Sequence, residues 1–206
     1  QPNYVVYSDD GDAWFESNLS FDSNYIKIVS GNSRFVAVPT NDNKVSFSYT
    51  GVNWVTRGLP ELQQWSDATY GAGTFVIISA SSDKVAYSTD GLNWSVSEIP
   101  EDSSGDSTVS QWTSVTYGAG KFVAVSNNDS AAAVSTDGIT WTRVDEALPA
   151  LTGNIVSLEY GANRYLALCD NGEVAYSLDS EIWYAGTTAP NDSGNNPVYT
   201  DIKYSQ

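Results

Sequence analysis

WTSVTYGAGKFVAVSNNDSAAAVSTDGITW, residues 112–141, contains four segments able to form strands, each followed by a different kind of turn. The first alternates aromatic and polar residues through Trp112, Val115 and Tyr117 and ends in Gly-Ala-Gly. The second is KFVAVS, and the polar loop NNDS follows it. The third is AAAVS, and a turn at Asp137-Gly138 leads to a fourth that starts near Trp141. Short apolar segments joined by such turns predict consecutive antiparallel strands. The same order recurs in YIKIVSGNSRFVAVPTNDNKVSFSYTGVNW at 25–54, in 65–94 and in 155–183. The closing phrase occurs a fifth time, SDDGDAW at 8–14. Its tryptophans, at 14, 54, 94, 141 and 183, are 40, 40, 47 and 42 residues apart. A period of that size marks a propeller or a related repeat architecture, and four strands per period make a propeller blade.

The ends of the chain complete the count. Residues 4–17 hold only the third and fourth strands of a unit. VYTDIKY, residues 198–204, matches a first strand, with Tyr199, Ile202 and Tyr204 in the places of Trp112, Val115 and Tyr117. The expectation is one all-β domain over 1–206, a five-bladed β-propeller with about four antiparallel strands per blade. Its units are 1–17 plus 198–206, 25–57, 65–97, 112–144 and 155–186, and strands from both termini close the ring. No second strand is found for the shared unit, which leaves a three-stranded fifth blade, a sequence trimmed short of that strand, or a strand supplied by a partner. A ring with more blades, completed by association or by missing sequence, and an open solenoid or sandwich are the alternatives.

The repeated phrase has a mechanical reading. Ser8, Ser48, Ser88, Ser135 and Ser177 end a strand, and Asp10, Asp90, Asp137 and Asp179, with Thr50 in the second copy, follow two residues later. Their oxygens can accept backbone N–H groups inside the turn. Gly11, Gly51, Gly91 and Gly138 stand where positive φ is expected, and Ser180 replaces glycine in the last copy. Trp14, Trp54, Trp94, Trp141 and Trp183 then start the returning strand and pack behind the turn. A residue repeated in every unit belongs to the scaffold, because one active site does not need a copy per blade.

The phrase resembles the Asp-box, or BNR repeat, of sialidase-like propellers, here one residue shorter between aspartate and glycine. The full unit, YGAGKFVAVS followed by VSTDGITW, is similar to repeats of secreted bacterial proteins and of phage tail or virion proteins. The resemblance implies blade architecture, with the turn at the blade periphery. Sialidases typically use three arginines, a tyrosine–glutamate pair and an acid/base aspartate. Only Arg34, Arg57, Arg143 and Arg164 are present, at scaffold-like repeat positions, and no such set is assembled.

Composition narrows the chemistry. The 206 residues carry 25 acidic and nine basic side chains, a net charge of −16, which repels nucleic acid and anionic membranes. No apolar run reaches the ~18 residues of a membrane span. No histidine is present, which excludes histidine triads and histidine metal sites, and Cys169 stands alone in an apolar strand-like run. No cofactor is implied. Calcium stays open at the oxygen-rich loops NDNK (41–44), NNDS (127–130) and DNGE (170–173), none of which is an EF-hand loop.

A ring offers loops and a mouth for binding. The candidate ligand contacts are Trp65, Trp112, Tyr25 and Tyr199, which open first strands, with Asp102, Asp106 and Tyr184 in or beside the longest connections. The leading expectation is a non-enzymatic domain that binds a cell-surface glycan or protein receptor, as a phage tail module or bacterial adhesin, located extracellularly, on a virion or on a cell surface. The alternatives are a structural virion-decoration or assembly-scaffold domain with a virion or envelope partner and, below it, a sialidase-like glycoside hydrolase. Neither nucleic acid nor membrane insertion is expected.

Overall fold

The computed structural model describes residues 3–102, 110–189 and 198–204. Eighteen strands run in chain order, and hairpins fold them into successive sheets. β1 (Tyr4–Tyr7) and β2 (Phe15–Asn18) form a two-stranded sheet. β3 (Tyr25–Gly31), β4 (Arg34–Pro39), β5 (Asp42–Ser48) and β6 (Val55–Gln63) make the first four-stranded blade. The second contains β7 (Trp65–Gly71), β8 (Thr74–Ser79), β9 (Lys84–Ser88) and β10 (Ser95–Glu98). The third contains β11 (Trp112–Gly118), β12 (Lys121–Ser126), β13 (Ala132–Ser135) and β14 (Thr142–Val144). The fourth contains β15 (Ile155–Gly161), β16 (Arg164–Cys169), β17 (Val174–Ser177) and β18 (Trp183–Ala185). Every pairing is antiparallel and sequential. The architecture is a five-bladed all-β propeller.

Blades meet through their first strands, β3 beside β7, β7 beside β11 and β11 beside β15. The Gly-Ala-Gly turns explain how. Ala119 and Gly120 take φ of 47° and 79°, the paired positive values of a type I′ hairpin. Gly118 has a different task. A Cβ there would lie 2.0 Å from Cγ of Tyr160 in the next blade. Gly31 meets Tyr70, Gly71 meets Tyr117, and Gly161 meets Tyr204 in the same way. Each first strand thus ends in a glycine over which the next blade lays a tyrosine ring.

The hydrophobic cores lie between blades. Val38 and Phe47 pack with Trp65 and Ile77 between the first and second. Ile78 and Val85 pack with Trp112 and Phe122 between the second and third. Val123 and Val125 pack with Ile155 and Tyr165 between the third and fourth. Second strands are the most deeply buried elements: every residue of β8 is buried, and all of β12 after Lys121.

The fifth blade is built differently. The β1–β2 hairpin leans on the first blade, where Ser17 Oγ donates to the Val52 carbonyl and Ser20 Oγ lies 2.8 Å from Ser46 Oγ. Residues 198–204 lie against the fourth blade instead, through Ser157 Oγ donating to Asp201 Oδ1 at 2.6 Å and through Tyr204 on Gly161. The expected ladder over 198–204 is absent: the segment forms no strand, and among the described residues no strand covers the edge of β1 that faces away from β2. Among the described residues, four strands are found in each of four blades and two in the fifth.

Candidate functional site

The repeated turns form a uniform hydrogen-bonded unit. In the third copy Gly91 N–H donates to Ser88 Oγ at 2.8 Å, and the N–H groups of Leu92 and Asn93 donate to Asp90 Oδ1 at 2.8 Å each. Asp10, Asp137 and Asp179 each accept the corresponding two N–H groups. Thr50 accepts only one, from Val52 at 3.2 Å. These donors, first Asn93 for Asp90, Ala13 for Asp10, Thr140 for Asp137 and Ile182 for Asp179, hold the four carboxyls below the usual carboxylate range. All four carboxylates are directed into their own turns.

The central channel draws on every blade. Its mouth, about 260 Å³, takes two residues from each inner segment: Ile26 and Lys27, Ser66 and Asp67, Thr113 and Ser114, Val156 and Ser157, Thr200 and Asp201. The ladders slip at this place in β3, β7, β11 and β15, so a β-bulge turns the residue after the opening aromatic or isoleucine toward the channel. Lys27 Nζ lies 2.9 Å from Asp67 Oδ1. Asp67 Oδ2 also accepts the N–H of Val115 from the next blade at 3.1 Å. Hydrogen bonds from Ser157 and from its neighbour's N–H, at Ile202, outweigh burial and hold the Asp201 carboxyl below its ordinary value. These groups tie blades together and also give the mouth its only cation, Lys27, among its described lining. In sequence this set is visible only as the column where the repeats disagree.

The proposed ligand contacts are not brought together. Trp65 and Trp112 are 1% and 0% exposed. Their indole N–H groups donate inward, to the Asp42 carbonyl at 2.9 Å and to Asp83 Oδ1 at 2.8 Å, so neither ring offers a face to a sugar. Tyr25 is half-buried and bonded to Ser46 Oγ at 2.7 Å; burial raises its phenol above the ordinary value. Tyr199 is half-buried, beside the 170–172 loop. Tyr184 is exposed on β18, 5.5 Å from the ring of Tyr176. Asp102 is half-buried, and Asp106 lies outside the described residues.

The oxygen-rich loops are satisfied internally. Asp42 accepts from Asn43 N–H and Ser23 Oγ, and Asp170 from Asn154. Glu173 accepts from Thr152 and Gly153, which lowers its carboxyl to about 2. Asp129 receives Arg143 Nη2 at 2.6 Å, while Arg143 also donates to Ser110 and Asp145 and lies 5.5 Å above the Trp112 ring. That clamp was not anticipated; its arginine is 5% exposed and its donors are committed. No group of three or more acidic, cysteine or histidine side chains fit for a metal occurs among the described residues. Cys169 is buried, and burial pushes its thiol up to about 11. No helix among the described residues is long and apolar enough to cross a membrane.

The fifth blade presents the largest departure from the repeat. Val6 is 54% exposed, whereas its equivalents Ser46, Ala86, Ala133 and Ala175 are at 0%. Trp14 is 61% exposed, against 5% for Trp141 and 6% for Trp183. Of the fourteen large hydrophobic side chains exposed among the described residues, eight lie on β1, β2, the adjoining turn, β3 or 198–204.

No family model matches the chain, and no curated protein matches it. Solved structures do. Virginiamycin B lyase from Staphylococcus aureus superposes with a TM-score of 0.78 at 14% identity, over 92% of this chain and 64% of the lyase. A catalytically inactive histidine-to-alanine form of that lyase with quinupristin gives 0.80 at 13%, over 98% and 67%. YCF48 bound to D1 peptide gives 0.60 at 13%, over 90% and 57%. The chain spans less than two thirds of the first of these structures.

These likenesses confirm a propeller and correct the functional expectation. The proteins that share the fold over nearly the whole chain include lyases, so the reading as a non-enzymatic glycan or receptor-binding domain does not stand, nor does the exclusion of an enzyme. The carbohydrate-binding, receptor-binding, phage-tail, virion and secreted attributes fall with it. The four scaffold-placed arginines and the lack of histidine exclude particular mechanisms rather than catalysis as such, because one fold hosts both catalysts and binders.

Proposed function

We propose that this propeller is an assembly scaffold whose shared fifth blade, residues 1–17 with 198–206, receives an extended segment of a partner polypeptide. One observation carries the reading: Val6 is 54% exposed on a strand edge that no described strand covers, where its four equivalents are fully buried. An uncovered edge with apolar side chains is a template for strand addition, the backbone supplying affinity and alternate side chains specificity. The likeness to YCF48 bound to D1 peptide lends support, as a similar fold that holds a peptide. The five hydrogen-bonded turns support kinship with Asp-box repeats and serve here as the rigid frame. Selection of extended peptides from a random display library against the full chain tests the reading. Selected peptides should protect the β1 amides from hydrogen exchange and lose binding to a Val6→Lys chain with unchanged near-UV circular dichroism. Selection of peptides that bind equally to Val6→Lys would overturn it.

A second reading, catalysis at the channel mouth, is favoured by the lyase likeness together with the polar lining there. Without histidine, proton transfer would fall to Lys27, Asp67 and Asp201. Incubation with quinupristin followed by mass spectrometry decides it for that substrate: cleavage that Asp67→Asn abolishes supports the reading, and intact quinupristin opposes it.

A further inference from the structure

We propose that the mouth of the central channel binds a small organic cation carrying a primary ammonium group, of the aliphatic diamine class. The site is separate from the β1 edge and requires no turnover. Its chemistry is set by where the hydroxyl protons of the lining already go. Ser66 Oγ donates to the Trp112 carbonyl at 2.6 Å, Thr113 Oγ1 to the Ile155 carbonyl at 3.1 Å and Ser157 Oγ to Asp201 Oδ1 at 2.6 Å. Each of these bonds crosses to the next blade. A hydroxyl has one proton and two lone pairs. With the proton committed to the ring, each of these oxygens meets a guest in the mouth as an acceptor.

Charge points the same way. Two carboxylates, Asp67 and Asp201, line the mouth against one ammonium, Lys27. Lys203 lies 3.8 Å from Asp201 Oδ2, but it is set off by Glu159 at 3.5 Å and is largely in solvent. Asp67 is already engaged on both oxygens, by Lys27 Nζ and by the Val115 N–H, and its side chain is 13% exposed. The Asp201 side chain is 54% exposed and has room for another donor. The chain as a whole, at −16, concentrates cations around such an opening. Lys27 on Asp67 is the chain's own instance of the chemistry, and a second ammonium finds Asp201 and the hydroxyl oxygens beside it.

Ser114 is an independent sign of a guest. It lines the mouth, is 3% exposed, and its hydroxyl has no hydrogen-bond partner among the described residues. A buried polar group without a partner is costly, and a molecule seated in the mouth would supply one. An ammonium brings three N–H donors and no acceptor, which matches a lining of acceptors. A neutral sugar would set its own oxygens against them, and a carboxylate or phosphate would face Asp67 and Asp201. A divalent metal needs more charged oxygen ligands than stand here, and no group of three or more suitable side chains occurs among the described residues.

The probe is 1,4-diaminobutane, titrated into the full chain by calorimetry at low salt. The expected result is saturable one-to-one binding. Asp201→Asn should weaken it about tenfold or more, as loss of a charge-assisted hydrogen bond does, and Ser114→Ala about threefold. Glu146→Gln, which removes an equal charge at an exposed position beyond the outer strand β14, should leave it unchanged. Lys27→Met removes the competing ammonium and frees Asp67, so it should tighten binding; Lys27→Arg, which keeps the charge, should bind as the parent does and guards against misfolding of the methionine variant. Val6→Lys should not affect binding, and intact quinupristin would not bear on it, so failure of either reading above is distinguishable from failure here. Absence of saturable binding would overturn the proposal. Equal weakening by Glu146→Gln would reduce it to a diffuse ion atmosphere, and weakening by Lys27→Met would make the mouth an anion site held by Lys27. Calcium binding that Asp201→Asn removes, with no binding of 1,4-diaminobutane, would make the guest a metal ion and overturn the organic cation.

Discussion

Ser180 shows how strongly the repeated turn dictates backbone shape. Four copies put glycine at this position, with φ between 69° and 84°, and Ser180 adopts 78° although it carries a Cβ. It is fully buried, its N–H donates to Ser177 Oγ at 2.9 Å, and its own Oγ donates to the Asp179 carbonyl. The turn is therefore kept at the cost of a left-handed serine rather than exchanged for another type. Ser180→Gly should stabilise the protein by about 1 kcal/mol, a rise in melting temperature of about 2–4 °C for a chain of this size. Differential scanning calorimetry checks it; a lower melting temperature would show that the serine hydroxyl, which also accepts from Lys121 Nζ at 3.3 Å, outweighs the strain. The serine, aspartate and glycine roles were legible because each is local to seven residues. The fate of Trp65 and Trp112 was not, since burial depends on the neighbouring blade.

At the level of strands and their joints, the first glycine of Gly-Ala-Gly has the sequence context of a turn residue, yet its work is the approach of two blades. The sequence hides this because the partner tyrosine lies some forty residues away, and no local pattern links Gly118 to Tyr160. The joints are not equal. Gly118 is buried, and a Cβ on it would strike the base of a ring held by β15 and by Tyr165, 4.8 Å away. Gly161 faces Tyr204, half-exposed on a segment without ladder bonds. Gly118→Ala should therefore destabilise by about 2–3 kcal/mol, the upper range for overpacking, and Gly161→Ala by less than about 1 kcal/mol. Urea denaturation of both variants measures the contrast; equal losses would mean that the C-terminal segment is held as firmly as a blade.

Across the whole molecule, closure follows from whether each joint has its glycine and its ring. The three joints among the first four blades carry both, and each adjoins a buried core. The joint from fourth to fifth blade has Gly161 and Tyr204, but among the described residues the fifth blade has no second strand. At the joint from fifth to first, the tyrosine position of the first blade is Ser30, and the residue after Tyr204 in the sequence is Ser205 rather than glycine. Five copies of the phrase made the blade count legible, whereas the weakness of these last two joints could be recognised only once Gly118 and its equivalents were seen under the rings. The distribution predicts how the protein opens. Stability is carried in cooperative units, and those with few buried contacts open first. β1, β2 and 198–204 should exchange their amide hydrogens by local opening, far faster than β8 and β12, whose residues are nearly all buried on both faces. Native-state exchange followed by mass spectrometry reads this directly. Protection of β1 equal to that of β8 would mean that the fifth blade is sealed within the ring and that no edge is offered to a partner.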